Sequence, residues 1–331
     1  MVKRGRLPAP GLRRVGWGSF WGAAVAAVAA IVLVQAVPMF FFGALAQAVA
    51  PCTDSNRLKI VAAENFYQDI AGQIGGACAE VKGLLSDPNV DPHEYEPTVK
   101  DAQAVAGADL VIENGGGYDD WMNKLLSASP NSGRLVLNVW DISPVRIPEN
   151  EHVWYSLEDV KAMAGAMAAD LKKLRPEQAA EFDRNLKTFT ASLSGIGAKI
   201  GRISKRFSGT PIALTEPIFL YQSNPMGLKV LTPFEFQKAV AEGIDPPADT
   251  MLTAQEQVRK KLVRVLVLNR QTTDRFTQKL EELAKTSGVE VVAVTETMPP
   301  GKNYQTWMLD QIAALESALG RSKTGAGGGA R

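Results

Sequence analysis

The feature that most constrains the fold is a long run of apolar residues at helical spacing in the middle of the chain. Between residues 176 and 208, apolar side chains follow one another at alternating intervals of four and three. Because this spacing keeps them on one face of an α-helix, it predicts a helix that starts at Pro176 and continues without a break. At 1.5 Å per residue the helix is roughly 40 Å long, enough to run along two lobes as a spine. The apolar face consists of Phe182, Leu186, Phe189, Leu193, Ile196, Ile200, Ile203 and Phe207.

On each side of this spine, short strand-like runs alternate with helical segments. Such alternation is typical of parallel sheets with helices packed on their faces. The sequence therefore predicts an α/β protein of two lobes, each a mostly parallel sheet flanked by helices, joined by one long spine helix. The strand-like runs cover residues 58–62, 80–85, 109–113, 135–140, 211–215, 263–268 and 289–294.

This alternation also divides the chain into segments. Residues 47–175 are predicted to form the N-terminal lobe, 176–208 the linking helix and 209–320 the C-terminal lobe. Residues 321–331 consist mainly of glycine and small residues and have nothing to bury, so they are predicted to be a disordered tail.

The first 46 residues have the pattern of an export segment. Five basic residues precede an apolar run over residues 20–46, and no acidic residue occurs before Asp54. The small residues Ala44 and Ala46 predict a signal peptide that is cleaved after Ala46. The run is also long enough to span a bilayer, so an uncleaved membrane anchor is the alternative. In either case the sequence predicts export to the periplasm or to the outer face of the cytoplasmic membrane.

The charge balance argues against a nucleic-acid-binding protein. The chain has 36 basic and 35 acidic side chains. Without the five basic residues of the export segment, 31 basic and 35 acidic side chains remain, which gives a net charge of about −4. The glycine-rich segments 114–117 and 195–201 lack the spacing of phosphate-binding or dinucleotide-binding loops. We therefore interpret residues 114–117 as a turn and expect no nucleotide cofactor.

Both cysteines lie beyond the export segment. Cys52 precedes the first predicted strand, and Cys78 precedes or opens the second. If these strands are parallel neighbours, both cysteines lie at one edge of the sheet, where an oxidising compartment favours a disulfide. Two separate thiols, or a lipid attached to Cys52, are the alternatives, although Pro51 stands where a lipidation signal needs a small residue.

Four potential metal ligands share one kind of position in the predicted fold. The chain has only two histidines, and both His93 and His152 lie in loops between a predicted strand and a helix. Glu216 and Glu296 follow predicted strands of the second lobe in the same way. Because ligands of open α/β sheets bind beyond the carboxyl ends of the strands, all four side chains can face one cleft. Two imidazoles and two carboxylates suit a divalent transition metal.

Two of these positions lie in motifs that resemble a known family. The segment Asp91-Pro92-His93-Glu94-Tyr95-Glu96-Pro97 resembles the signature of the solute-binding proteins of zinc and manganese ABC transporters. The segment Glu151-His152-Val153-Trp154 is similar to the second histidine motif of that family. The resemblance extends from about residue 59 to about residue 319. It implies metal ligands at His93, His152 and Glu216, and usually an aspartate in the last loop, where this chain has Glu296.

The resemblance implies a non-enzymatic receptor that captures Mn²⁺ or Zn²⁺ between its lobes. It also implies delivery of the ion to the permease of an ABC importer, association with the membrane through that importer or an N-terminal anchor, and a monomeric state. In the resembled family, manganese receptors tend to offer two histidines and two carboxylates, so the ligand count favours manganese. The rigid spine predicts capture by small lobe tilts.

Two functions of other classes are the alternatives. A metal-dependent hydrolase would also use two histidines and a carboxylate around catalytic zinc, with one coordination position open to water. A surface adhesin on the same fold is the other alternative, and it would be distinguished by an exposed apolar patch or an added module.

Overall fold

The computed structural model of the protein describes residues 51–87, 90, 92 and 95–321. The predicted export segment lies outside these residues, as do His93 and almost all of the predicted tail. Within the described ranges, no helix is both long and apolar enough to cross a membrane. Most of the predicted N-terminal lobe, the segment that joins the lobes and the predicted C-terminal lobe are described.

The first lobe consists of four parallel strands with helices between them. Neighbouring strands are numbered 2-1-3-4 across the sheet, so the order reverses between the first and third strands. Such a reversal opens a crevice at the carboxyl ends of the strands, where ligands bind in sheets of this type. The elements are β1 (Leu58–Glu64), α1 (Asn65–Gly75), β2 (Ala79–Leu85), α2 (Val99–Ala106), β3 (Leu110–Glu113), α3 (Asp120–Ala128), β4 (Leu135–Asn138), α4 (Val139–Ile142) and α5 (Leu157–Leu174).

The spine begins with a 3₁₀ turn at Pro176–Gln178 and continues as two α-helices, α6 (Ala179–Ser192) and α7 (Ser194–Phe207). The predicted long helical segment is therefore present, but it is not one unbroken α-helix from Pro176. The helices meet at Leu193, whose backbone stays close to helical, with φ −72° and ψ −13°. The Ser192 hydroxyl donates to the Phe189 carbonyl at 2.6 Å, the acceptor that the Leu193 N–H would use in a continuous helix. Apolar spacing does not reveal this local competition, because the apolar side chains stay on one face.

The second lobe repeats the sheet order of the first. Counted along the chain, its four parallel strands also lie in the order 2-1-3-4 across the sheet. The predicted fold class, two parallel sheets flanked by helices and joined by a long helical segment, is confirmed. The elements are β5 (Pro211–Leu214), α8 (Leu220–Ser223), β6 (Lys229–Val230), α9 (Phe234–Ala241), α10 (Ala248–Arg259), β7 (Val265–Asn269), α11 (Arg275–Ser287), β8 (Glu290–Val294) and α12 (Tyr304–Arg321).

The helices of the spine pack on different lobes. Helix α6 packs on α1 and α5 of the first lobe, whereas α7 packs on α12 of the second. Buried apolar residues from β1, from α6 and α7 and from β7 belong to one continuous cluster. The two lobes therefore share a core, and this limits how far one can move relative to the other.

A disulfide joins Cys52 to Cys78, whose Cα atoms are 5.0 Å apart. Strands β1 and β2 are parallel neighbours, and Leu58 at the start of one pairs with Ala79 at the start of the other. The chain segments that precede the two strands therefore lie side by side, as the sequence predicts. The disulfide is confirmed, and because it occupies the sulfur of Cys52, a lipid on this residue is incompatible with the structure.

We expect the double variant Cys52→Ser/Cys78→Ser to be less stable than the oxidised wild type. The cysteines are 26 residues apart, and in the chain-entropy account a cross-link over a segment of this length contributes about 3.5 kcal/mol. Urea denaturation under oxidising conditions measures the difference. Reduced wild-type protein is the control and should match the double variant. Equal unfolding free energies for the oxidised wild type and the variant would contradict a stabilising bond.

Candidate metal centre

The structure brings three of the four predicted ligands together between the lobes. His152, Glu216 and Glu296 each offer one ligand atom, and these three atoms lie within 4.8 Å of one another. All three residues are buried, and none is more than 1% exposed. The fourth predicted ligand, His93, lies outside the described residues.

The positions of these three residues follow from where the strands end. Glu216 lies two residues beyond β5 and precedes the helical turn Pro217–Phe219. Glu296 lies two residues beyond β8. His152 follows β4 and α4 and precedes the helical turn Val153–Tyr155. Each side chain therefore starts from a loop at the carboxyl end of a sheet, where the fold places ligand sites.

Asn150 determines which nitrogen of His152 is available. Its Nδ2 donates to the carbonyl oxygen of Pro217 at 2.9 Å, so its Oδ1 faces the histidine. This Oδ1 lies 2.9 Å from Nδ1 of His152. Because an amide oxygen only accepts, Nδ1 carries the proton and the lone pair is on Nε2. Nε2 lies 3.8 Å from Oε2 of Glu296, so the nitrogen that can bind a metal faces a carboxylate of the other lobe.

Asn269 connects the two glutamates. Its Nδ2 donates to Oε2 of Glu216 at 2.8 Å and to Oε1 of Glu296 at 2.5 Å. Asn269 is the last residue of β7, and β7 lies between β5 and β8 in the sheet, so it ends between the two loops that carry the glutamates. Our sequence analysis considered ionisable ligands and missed this amide. The available signal was its position, directly after the predicted strand 263–268.

The loop that carries Glu296 is fixed from both lobes. Gln271 Oε1 accepts from the backbone N–H groups of Glu296 at 2.7 Å and Thr297 at 2.8 Å. From the first lobe, Asn65 Nδ2 donates to the carbonyl oxygen of Met298 at 2.8 Å, and the Met298 N–H donates to Asn65 Oδ1 at 2.9 Å. The Glu296 side chain therefore starts from an ordered backbone.

Tyr118 supports Glu296 from the first lobe. Its hydroxyl donates to Oε2 of Glu296 at 3.0 Å. Burial, and after it the charge of Glu296, raises the pKa of Tyr118 well above its usual value, so the hydroxyl keeps its proton at neutral pH. Tyr118 follows the predicted turn, in which Gly115 has a φ of 74° and a Cβ would lie 2.3 Å from the Asn138 side chain. The turn prediction is confirmed, and the turn delivers the tyrosine to the site.

Two further acids are buried near the site. Burial, followed by the charges of Asp119 and Glu113, raises the pKa of Glu64 at the end of β1 well above its usual value. Burial also raises the pKa of Asp119 to about 7, although its oxygens accept from the backbone N–H groups of Asn114 at 2.7 Å and Gly115 at 2.8 Å. Burial thus disfavours the charged form of both acids, and a nearby cation would favour it.

The raised pKa of Asp119 predicts that stability depends on pH. Between the ordinary pKa of 3.8 and the folded value of about 7, the folded protein binds more protons at this group than the unfolded chain. The contribution of Asp119 to the free energy of unfolding therefore falls as pH rises from about 4 to about 7, by at most about 1.4 kcal/mol per pH unit, and is constant above that range.

Urea denaturation of metal-free wild type and Asp119→Asn at several pH values measures this contribution. The variant has no ionisable group at this position, so the wild type should lose stability relative to it between pH 4 and pH 7. Parallel curves for the two proteins would contradict a raised pKa at Asp119.

Comparisons with known proteins identify the family and the fold of the chain. Residues 60–318 match the family described as zinc-uptake complex component A, periplasmic. The chain is 25% identical over 293 residues to the metal ABC transporter substrate-binding lipoprotein SsaB of Streptococcus sanguinis, which covers 81% of this chain and 91% of that protein. It is 24% identical over 314 residues to the manganese ABC transporter substrate-binding lipoprotein PsaA of Streptococcus pneumoniae, which covers 86% and 97%.

A solved structure shows the same fold. The periplasmic zinc binding protein TroA from Treponema pallidum superposes with a TM-score of 0.69 at 21% sequence identity. The superposition covers 80% of this chain and 99% of that one. The two-lobed arrangement is therefore shared over nearly the full length of that protein.

Proposed function

Because the chain belongs to the family of periplasmic zinc-uptake complex component A proteins, we propose that it is an extracytoplasmic solute-binding protein that captures a divalent transition metal and delivers it to an ABC importer. The observation that carries this proposal is the buried group of His152, Glu216 and Glu296. Imidazole nitrogen and carboxylate oxygen are common ligands of such ions. Two carboxylates so close together in a buried site repel each other, and a cation between them removes that repulsion.

We propose His93 as the fourth ligand. Val90, three residues before it, accepts a hydrogen bond at 3.3 Å from Gln271 Nε2. Oε1 of the same glutamine accepts a hydrogen bond from the backbone N–H of Glu296 at 2.7 Å. The loop that leads to His93 therefore starts from a contact beside the site, which supports a role for this histidine. In this proposal the ion is bound by His93 and His152 of the first lobe and by Glu216 and Glu296 of the second.

A receptor accounts for this site better than a hydrolase does. Catalytic zinc keeps one coordination position open for water, whereas four protein ligands complete a zinc coordination shell. The three described candidate ligands are also buried, with exposures of at most 1%. The buried site does not support the alternative of a surface adhesin, which would act through an exposed surface.

The cargo in this proposal is Mn²⁺ or Zn²⁺, and the partner is the permease of the importer. The protein acts as a monomer in the periplasm or at the outer face of the cytoplasmic membrane, held there by the transporter or by an N-terminal anchor. The disulfide between Cys52 and Cys78 supports an oxidising compartment of this kind.

Removal of a ligand should abolish most metal binding. We expect His93→Ala and His152→Ala each to lower the affinity for Mn²⁺ and Zn²⁺ at least about 100-fold, or about 2.7 kcal/mol, because water replaces an imidazole poorly. Glu216→Ala and Glu296→Ala should have effects of the same order, since the Glu296 loop is fixed from both lobes. Isothermal titration calorimetry of the four variants measures the loss.

Glu158→Ala is the matched control for these variants. This glutamate is exposed on α5 and pairs with Lys161 on the same helix, so its removal should leave metal binding unchanged. Full-strength binding by both histidine variants would rule out the proposed site. Elemental analysis of dialysed wild-type protein tests independently whether any transition metal is retained.

The lobes should move little when the ion binds. Hydrogen bonds link them close to the site, for example from the Tyr304 hydroxyl to the Trp154 carbonyl at 2.8 Å and from the Tyr155 hydroxyl to the Thr295 carbonyl at 2.6 Å. Crystals of the metal-free and metal-loaded protein should differ by a lobe rotation of less than about 10°. A rotation of tens of degrees would contradict the prediction, because these bonds and the shared core would then have to break.

A further inference from the structure

Basic side chains are concentrated where the strands of the second lobe begin. We propose that this surface, the basic end, binds the anionic headgroups of a phospholipid membrane and so holds the protein close to that membrane. The inference goes beyond metal binding, because it concerns the opposite end of the sheet from the proposed metal site. The basic end consists of Lys205, Arg206, Lys229, Lys260, Lys261 and Arg264.

Two segments without acidic residues supply most of this surface. Residues 184–215 contain six basic side chains and residues 257–273 contain five, and neither segment contains an acidic one. The other residues beyond the export segment carry 20 basic and 35 acidic side chains. The rest of the protein is therefore strongly acidic, and a concentrated positive surface forms where the fold brings the two segments together.

The two segments meet at the start of the second sheet. The first leads into β5 and the second into β7, and these strands are parallel neighbours. The Arg264 N–H donates to the Pro211 carbonyl at 2.8 Å, and the Lys229 N–H donates to the Thr210 carbonyl at 2.9 Å. Basic residues at the starts of three adjacent strands, β6, β5 and β7, therefore lie side by side.

Phe207 orients two arginines of the basic end. The guanidinium carbon of Arg206 lies 4.9 Å from the centroid of the Phe207 ring, and that of Arg264 lies 5.7 Å from the same centroid. A cation–π contact holds a guanidinium in place but uses none of its N–H groups. The arginines can therefore donate to phosphate oxygens, which suit the planar guanidinium as acceptors.

Few acidic side chains neutralise the basic end. Arg206 lies 3.4 Å from a carboxylate oxygen of Glu316, and Lys260 lies 2.7 Å from one of Glu256. The other four basic residues of this surface form no salt bridge with a residue in the described ranges. Their charges are therefore available to an anionic partner.

The basic end fits a lipid membrane better than a nucleic acid. Proteins that bind single strands stack the bases on aromatic side chains, and none of the aromatic residues that the structure describes is exposed. Leu262, next to Lys261, is 51% exposed. An apolar side chain among lysines can enter the boundary between headgroups and acyl chains. In the proposed function the protein also acts beside a phospholipid membrane.

Contact at the basic end leaves the proposed metal site uncovered. Strands β5 and β8 lead away from this end to the loops that carry Glu216 and Glu296. The five residues of β7, between these strands, span roughly 16 Å. This distance exceeds the Debye length of about 10 Å at 0.1 M salt, so the membrane charge should have little effect on the ion. We expect lipid and metal to bind independently.

Co-sedimentation with lipid vesicles in metal-free buffer tests the inference. The protein starts at Gln47, so that it contains the whole compact unit Val49–Arg331 but lacks the apolar export segment, which would itself enter any bilayer. The vesicles consist of phosphatidylcholine with or without about 30% phosphatidylglycerol. Wild type should bind the anionic vesicles at least about 20-fold more strongly than the neutral ones, and about 0.5 M salt should remove the difference.

The variant Lys205→Gln/Lys229→Gln/Lys261→Gln removes three exposed charges of the basic end. A basic residue near an anionic surface strengthens binding about fivefold, so the variant should bind the anionic vesicles at least about 20-fold more weakly than wild type. Its affinity for Zn²⁺ should be unchanged, because no proposed ligand is altered. Urea denaturation checks that it is folded.

The matched control is Lys59→Gln/Lys100→Gln/Lys124→Gln. These three lysines are exposed in the first lobe and form no salt bridge with a described residue. Their replacement changes the net charge by the same amount, away from the basic end. The control should therefore lose less than about twofold in vesicle binding.

Three results would overturn the inference. They are equal binding of wild type and the Lys205/Lys229/Lys261 variant to anionic vesicles, equal binding of wild type to both kinds of vesicle, and no binding of wild type to either. A single-stranded oligonucleotide that binds wild type more tightly than anionic vesicles at the same salt would also overturn it, in favour of a nucleic-acid partner. If the triple variant does not fold, Lys205→Gln and Lys229→Gln alone should each lose about fivefold, and unchanged binding by both would reject the inference. Wild type that binds vesicles but no metal would reject the proposed function alone.

Discussion

The site depends on the burial of two glutamates within reach of a single asparagine amide. Glu216 and Glu296 carry like charges in a region excluded from water, an arrangement that is unfavourable unless hydrogen-bond donors and a cation compensate for it. Asn269 supplies a donor to each, Tyr118 and Thr272 supply two more to Glu296, and His152 faces the same carboxylate. The donors hold the carboxylates in place, and in the proposed function a metal ion supplies the opposite charge. The same interaction therefore accounts for the position of the two carboxylates and supports the proposal that they bind a metal.

The architecture places these groups through strand order. Both sheets have their first strand between the second and the third, so in each lobe a crevice opens where the order reverses. Glu216 and Glu296 follow strands on either side of β7, which brings Asn269 between them. Hydrogen bonds between the lobes and a shared core then hold the first lobe, with His152, against this group. The arrangement of these three side chains therefore does not depend on a bound ion, as the proposed receptor function requires.

Much of this fold and part of the site could be predicted from the sequence. Alternation of strands and helices depends on local periodicity, and the seven predicted strand-like runs overlap seven of the eight strands that the structure describes. Local competition was not visible in the periodicity, because the spine ends one helix at Ser192 and begins the next at Ser194 while its apolar side chains stay on one face. The two-residue strand β6 is too short to give a periodic signal. At the site, His152, Glu216 and Glu296 could be predicted because histidine is rare in the chain and the glutamates follow predicted strands. Asn269 could not be predicted, because its hydrogen bonds to the glutamates depend on which strands are neighbours in the folded sheet.

The most direct measurement is anomalous diffraction from crystals of the protein loaded with Zn²⁺, recorded on both sides of the zinc absorption edge. The proposed site predicts one strong anomalous peak between the lobes, at about 2.0–2.2 Å from Nε2 of His152, from one carboxylate oxygen of Glu216 and from one of Glu296. The other oxygen of each glutamate should remain within hydrogen-bonding distance of Asn269. A peak elsewhere, or no peak among these three residues in crystals that contain zinc, would contradict the account.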